Sequence, residues 1–299
     1  MSGLPRADTG ELYDAVGERD LRPGVEALLR RLGADAASVE RIATGSLPVY
    51  AAGEVVLKLF PQVYAAEVPV EAGVLRAVHG RLPIPTPRLL GQGEHDGWGF
   101  VLMERLRGTP LSEAWDGIGD KEALARELGR ATAALHAVPA PDIAEWWPRD
   151  WDDFVSGQRR GAVQRQRERG LDAAWLARIP EALDVELPGG DVLLHTEIMR
   201  EHLLVEHGRI SGLIDFEPAM RGAPEYDFVG VGVFVAQGDR RFLRAFLEAY
   251  GHPCDDGFPR RMVAWSLLHC YSNLPRWMGH MPVPEEADFA ELGRRWYGT

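Results

Sequence analysis

The sequence predicts an α+β protein of two lobes, a small N-terminal one built on an antiparallel sheet and a larger, mainly helical C-terminal one. Three observations carry the prediction. Short apolar runs punctuated by Gly and Pro crowd between residues 41 and 103, which is strand and turn chemistry. After Met103 the chain becomes polar, with Gly108 and Pro110, across residues 104–110. Beyond it helical periodicities dominate, interrupted by one hairpin pattern between Leu203 and Ile214. A chain of 299 residues can build a core in each lobe. The expected lobes are 1–103 and 104–299, with a hinge at 104–108.

Val25, Leu28, Leu29 and Leu32 recur at helical spacing and stop at Gly33, predicting a first helix. A strand-turn-strand unit follows, residues 41–50 and 54–60, with Ala52 and Gly53 in the turn. Lys58 stands inside the second strand among Val, Leu and Phe, where an ammonium is costly to bury without a partner. Residues 65–79 read as a helix with Val70, Val74, Ala77 and Val78 on one side, and Glu71 near its start is the available partner. The passage 82–87 carries three prolines and is expected to be extended, since each restricts itself and its predecessor. It leads through residues 88–92 and a turn at 94–97 to an apolar strand at 98–103. In the second lobe, residues 120–138 form a long helix striped by Leu124, Leu128, Ala131 and Leu135, with His136 at its end as a core or capping group. The basic run 158–169 reads as a solvated face, and 239–250 and 259–271 read as helices. There is no internal repeat, which excludes solenoids.

The net charge of −12 argues against a nucleic-acid partner, because phosphate backbones need a basic surface, and it is compatible with a cationic substrate. Cys254 and Cys270 make neither a disulfide framework nor a CxxC metal site. No run approaches the roughly 20 apolar residues of a membrane span, and the first residues lack the pattern of a signal peptide. A cytoplasmic protein with no membrane partner is expected. Among 33 basic residues only Lys58 and Lys121 are lysine, in a chain whose Ala, Gly and Arg excess indicates GC-rich coding, so each lysine stands out.

The chemistry concentrates between Asp191 and Asp227. Residues 203–205 and 210–214 flank the turn 206–209, and polar groups stand at both outer ends of this hairpin. His195, Glu197 and His202 precede it, while Asp215 and Glu217 follow it. A hairpin brings its outer ends together, so these groups should converge where a metal and a proton can be handled.

In this order, a Gly-containing loop, a strand lysine, a helix glutamate, a polar hinge, a catalytic loop and an Asp-Phe motif resemble the protein-kinase-like small-molecule kinases, most closely the aminoglycoside phosphotransferase family. The resemblance covers about residues 40–250. The family pattern is His-Gly-Asp, then Asn and an apolar strand, then Ile-Asp-Phe/Trp, then Gly-Asp-Pro and a structural Asp. The chain offers His195-Thr196-Glu197, then His202 with Leu203, Leu204 and Val205, then Ile214-Asp215-Phe216-Glu217, and then Gly222-Ala223-Pro224 with Asp227. The resemblance implies a two-lobed protein-kinase-like fold and phosphoryl transfer from ATP or GTP with Mg²⁺. It implies that Lys58 contacts the α- and β-phosphates and is held by Glu71, and that Thr44, Gly45 and Ser46 lie over the triphosphate. Backbone groups of Glu104 and Leu106 would read the purine, Asp215 would bind the metal, and Asp227 would brace the catalytic loop. These assignments suit a reaction that needs mainly positioning and charge neutralisation.

Two positions depart from the family. The base that accepts the acceptor's hydroxyl proton would be Glu197 rather than Asp, and the second metal ligand would be His202 rather than Asn. Mg²⁺ binds imidazole poorly. His202 either sits behind the ion while water or Glu217 completes the coordination, or ligates a softer metal such as Mn²⁺, or marks an inactive site; the first is expected, because Glu217 adds a carboxylate. Arg200 is a further candidate for neutralising phosphate charge. The expected function is an NTP-dependent O-phosphotransferase acting on a hydroxyl of an antibiotic-like small molecule, an aminoglycoside, aminocyclitol or nucleoside antibiotic, with resistance as the outcome. A metabolic kinase of the choline or homoserine type and a nucleotide-binding pseudokinase scaffold are the alternatives. His195, Glu197 and His202 also resemble a zinc site of the nucleobase-deaminase kind, but the P-C-x-x-C element is absent. Acceptor walls are expected from residues 150–154, Trp265, His269, Trp277 and the acidic stretch 285–291.

Overall fold

The computed structural model describes residues 3–43 and 45–299, so the expected phosphate-loop residue Thr44 lies outside the described residues. Five antiparallel strands form the N-terminal sheet: β1 (Glu40–Ile42), β2 (Val49–Ala52), β3 (Val55–Phe60), β4 (Leu89–His95) and β5 (Trp98–Glu104), in the order β1-β2-β3-β5-β4. The stretch 41–50, read from sequence as one strand, is divided into β1 and β2, which pair antiparallel through Arg41 and Tyr50. Gly45 at φ +100° and the rigid Pro48 interrupt the run and fold it into a loop.

The sheet is covered on both faces, and strand alternation decides what each face carries. Leu57 and Leu59 of β3 join Tyr50, Trp98, Phe100 and Leu102 in a core closed by Leu21, Val25, Leu28 and Leu29 of a helix at Glu18–Arg31. With the short helix α1 (Gly10–Asp14) before it, that helix is α2. Phe60, Val101 and Met103 face the other way, into the core shared with α3 (Glu67–Val78) and the C-terminal lobe. Lys58, between Leu57 and Leu59, therefore points to the cleft side.

After Glu104 the chain crosses to β6 (Thr109–Pro110), which pairs with β8 (Leu203–Glu206), itself paired to β9 (Arg209–Leu213). The β8–β9 turn is the two residues His207 (φ +50°) and Gly208 (φ +74°), a primed turn whose twist matches the strands. A second ribbon joins β7 (Val192–Leu194) to β10 (Met220–Gly222). The helices are α4 (Leu111–Ala114), α5 (Lys121–His136), α6 (Trp151–Glu168), α7 (Ala173–Leu183), α8 (Glu225–Gly230), α9 (Arg240–Tyr250), α10 (Phe258–Leu268), α11 (Leu274–His280) and α12 (Phe289–Tyr297). α5 and α9 approach so closely at Gly129 that a Cβ there would lie 2.3 Å from the Phe246 carbonyl oxygen. No helix among the described residues is long and apolar enough to cross a membrane.

Candidate active site

Lys58 is 4% exposed and is neutralised by three carboxylates. Its Nζ donates to Glu71 Oε2 at 2.9 Å and also to Asp215 and Glu217. Glu71 is fully buried on α3, and its other oxygen accepts from the Phe216 backbone N–H at 3.4 Å. One glutamate thus ties the sheet lysine to the segment behind the hairpin. Three carboxylates facing one ammonium cannot all stay ionised cheaply. Burial and the neighbouring Asp215 push the Glu217 carboxyl well up, whereas Lys58 and His202 overcome burial and hold Asp215 well below the carboxylate range. Within this pair the charge is favoured on Asp215 and disfavoured on Glu217.

The loop expected to be catalytic begins at His195, and the Asp227 carboxylate organises it. Its Oδ2 accepts from the His195 N–H at 2.9 Å and from His136 Nε2 at 3.0 Å, and its Oδ1 accepts from the Thr196 N–H at 2.6 Å. Burial disfavours the Asp227 charge, but these donors, His136 first, hold its pKa low. Thr196 lies at φ +67°, a left-handed backbone that a β-branched residue rarely adopts, and its hydroxyl donates to the Pro218 carbonyl at 2.8 Å. This is where the family pattern has Gly. The loop also rests on α8, where a Cβ on Gly230 would stand 2.9 Å from the Ile198 carbonyl oxygen.

Glu197 and His202 meet Asp215 at the end of this loop. His202 Nε2 lies 3.0 Å from Asp215 Oδ2, and its Nδ1 lies 2.9 Å from the Glu197 carbonyl oxygen. Ligand atoms of Glu197, His202 and Asp215 all fall within 4.8 Å of one another. Burial raises the Glu197 carboxyl pKa against the opposing pull of His202, which suits a group that must take up a proton.

These groups line a cavity of about 580 Å³ between the lobes. Val49, Val56, Met103, Leu204 and Ile214 give it apolar walls, the segment Glu104 to Leu106 forms its back, and Gly45 and Ser46 stand at its roof. The Ser46 carbonyl accepts a hydrogen bond from the Tyr13 hydroxyl, so α1 anchors this loop.

Several expected residues are placed elsewhere. Met199 and Glu201 line the cavity, but Arg200 does not. Its guanidinium donates twice to the Val235 carbonyl, at 3.0 and 2.7 Å, and lies 3.5 Å over the Trp115 ring, so it serves the C-terminal lobe's packing and not phosphate. Trp265 and Trp277 are buried, and Trp265 donates to Glu225 at 3.1 Å. His269 is fully buried with Nε2 at 3.2 Å from the Thr196 carbonyl. Asp150 caps α6, and Glu291 pairs with Arg294 and Arg295. These are packing and capping roles rather than acceptor walls. His195 does not join a zinc-type cluster, because its Nε2 is turned to the Ile214 carbonyl at 3.0 Å.

His136 has the core role read from the sequence, whereas Tyr271 escaped that reading. His136 supports Asp227 and is itself held by the Tyr250 hydroxyl at 2.8 Å. Tyr271 is 48% exposed, yet partial burial and the nearby charges of Glu197 and Glu217 raise its hydroxyl pKa. No motif marks Tyr271.

Comparison with known proteins agrees with this geometry. The profile of the phosphotransferase enzyme family matches residues 12–263. Aminoglycoside 3'-phosphotransferase of Niallia circulans is 28% identical over 246 residues, which cover 76% of this chain and 89% of the relative. Homoserine kinase of Methylobacterium nodulans is 27% identical over 239 residues, covering 73% of this chain and 70% of the relative. The fold is similar to the GDP complex of aminoglycoside 2'-phosphotransferase-IIIa, with a TM-score of 0.63 and 20% identity over 82% of this chain and 91% of that one. A two-lobed kinase-like fold, a buried lysine shared among carboxylates, and a profile spanning both lobes together establish that this chain is a member of the phosphotransferase enzyme family.

Proposed function

We propose that the protein is an NTP-dependent O-phosphotransferase that phosphorylates a hydroxyl of an antibiotic-like small molecule, with resistance to that compound as the consequence. The observation that carries this reading is the cavity itself, where Lys58 with Glu71, Asp215 and Glu197 face one volume between the lobes. In this reading the lobes divide at 103/104 and residues 104–108 are the hinge, whose backbone reads the purine of ATP or GTP against Val56, Met103 and Leu204. Lys58 would exchange Asp215 and Glu217 for the α- and β-phosphates while Glu71 keeps it in place. Gly45 and Ser46 would close over the triphosphate. Glu197 takes the hydroxyl proton as the acceptor oxygen attacks the γ-phosphorus, and the nucleoside diphosphate leaves in line.

The donor set of Asp215, Glu197 and His202 fits a divalent cation, which when bound supplies charge neutralisation at the transferring phosphoryl group. The acceptor would rest near Tyr271 and the acidic rim at Glu201, which suits a polycationic aminoglycoside or aminocyclitol and leaves a ring face for a nucleoside antibiotic. A cytoplasmic location belongs to this reading, since the donor nucleotide is found there. Likeness to a homoserine kinase favours a second reading, a metabolic small-molecule kinase.

Mass spectrometry of products tests both. ATP or GTP with Mg²⁺ or Mn²⁺ is offered with aminoglycosides, aminocyclitols, nucleoside antibiotics, choline and homoserine. A gain of one phosphate on an antibiotic, abolished in Glu197→Ala with nucleotide binding retained, is the expected result. Transfer only to choline or homoserine establishes the metabolic kinase. Nucleotide binding with no transfer to any acceptor favours a scaffold role, and wild-type turnover in Glu197→Ala removes that residue as the base.

A further inference from the structure

His202 was expected behind the ion, with Glu217 as the additional ligand. The structure keeps Glu217 within 4.8 Å of Glu71 and Asp215, in reach of an ion, and it brings His202 to Asp215 as well. Glu217 is drawn onto Lys58, whereas the His202 ring is aimed into the cleft with Nε2 3.0 Å from Asp215 Oδ2. Its Nδ1, 2.9 Å from the Glu197 carbonyl oxygen, can only donate there, because a carbonyl offers no proton. That bond fixes Nδ1 as a protonated nitrogen, the backbone-carbonyl support found behind metal-bound histidines, and the Nε2 proton that points at Asp215 is the one an arriving cation would replace, meeting the Nε2 lone pair and the Asp215 carboxylate together. The 3₁₀ turn Arg200–His202 and the start of β8 hold the ring in this pose, with its side chain 13% exposed.

The donor atoms of His202, Glu197 and Asp215 lie within 4.8 Å of one another, so the corner of the cleft offers one imidazole nitrogen and two carboxylates. An all-oxygen set suits Mg²⁺, which prefers hard ligands and sheds water reluctantly, whereas an imidazole raises affinity along the series from Mn²⁺ through Co²⁺ towards Zn²⁺. We infer that His202 Nε2 is a metal ligand and that it turns the preference of this site from Mg²⁺ to a first-row transition ion, Mn²⁺ being the member of that series that the two carboxylates also suit. The inference deepens the phosphotransferase reading and rests on it for the triphosphate that shares the ion.

Electron spin-echo spectroscopy of the full chain with Mn²⁺ tests it, without and with a non-hydrolysable ATP analogue. The expected spectrum carries the nitrogen modulation of a coordinated imidazole. Protein grown on ¹⁵N-histidine should change that modulation, which excludes the purine nitrogens as its source, and His202→Asn should abolish it. In competition followed by the signal of free Mn²⁺, the preference for Mn²⁺ over Mg²⁺ should fall by about tenfold or more in His202→Asn. Bound Mn²⁺ without imidazole modulation, no Mn²⁺ binding, or an unchanged preference in the variant would each overturn the inference. The wild-type spectrum decides even where the variant folds poorly. Analogue binding without imidazole coupling removes only this inference, whereas imidazole coupling with no analogue binding removes the phosphotransferase reading and leaves the metal site standing.

Discussion

At the scale of single residues, Lys58 shows what a charge in an apolar strand implies. Its burial is tolerated because Glu71, Asp215 and Glu217 surround it, and removing the ammonium strands buried carboxylate charge. Lys58→Met should abolish turnover and destabilise the fold by about 3–5 kcal/mol. Because only protons can then neutralise the cluster, urea midpoints should show a larger deficit at pH 8 than at pH 5.5; an equal deficit at both would mean that the three acids relax apart. Lys58, Glu71, Glu197 and Asp215 were readable in the sequence because each stands against its surroundings, a charge in an apolar strand or a carboxylate at a hairpin end. Arg200 misled because, in the turn Arg200–His202, it points away from the cleft while His202 points in, and no spacing rule reports that. The aromatics Trp265 and Trp277 misled for another reason: composition does not distinguish a ring that binds a ligand from one that fills a core.

At the scale of elements, the support of the catalytic loop is distributed over helices far apart in sequence. His136 ends α5, bonds Asp227, and is held by Tyr250 at the end of α9, so the α5–α9 contact sets where the loop rests. Gly129 sits against the α9 backbone, where a Cβ would meet both the Phe246 carbonyl and the Tyr250 nitrogen. As an interior helical position it should prefer Ala by about 1 kcal/mol on propensity alone. Overpacking against backbone reverses that preference, so Gly129→Ala should lower stability by about 1–3 kcal/mol in denaturant titration and reduce turnover through the displaced brace. A more stable Gly129→Ala protein would show that α9 yields easily. The stripe of α5 was legible, since Leu124, Leu128 and Leu135 announce it, but which helix it meets was not, because the stripe carries no partner label. The single strand expected over 41–50 failed for a local reason, since Gly45 and Pro48 break the ladder there.

At the scale of the whole molecule, acid sensitivity follows from histidines buried without charge. Burial lowers the pKa of both His195 and His269 from 6.5 to about 4. Between those values the unfolded chain binds the protons that the folded one refuses, so stability is full above pH 6.5 and falls as the pH drops towards 4, by several kcal/mol for the pair on an order-of-magnitude scale. Asp227, held below its ordinary 3.8, adds a loss that begins only beneath that range. Thermal melts from pH 7.5 to 3 should show the midpoint falling between 6.5 and 4 by less than the two rings alone would give, because the raised carboxyls of Glu217 and Glu197 act the other way, and a midpoint that rises through that range would mean that the two rings take up protons in the folded state. The two faces of the N-terminal sheet carry one more consequence. Leu57 and Leu59 belong to the core under α2, and Lys58 between them belongs to the cleft. A slip of β3 by one residue would drive the ammonium into that core and expose both leucines. The packing of α2, remote from any substrate, thus acts as an error check on the chemistry: a chain that has closed its far core has already chosen the correct face for its lysine.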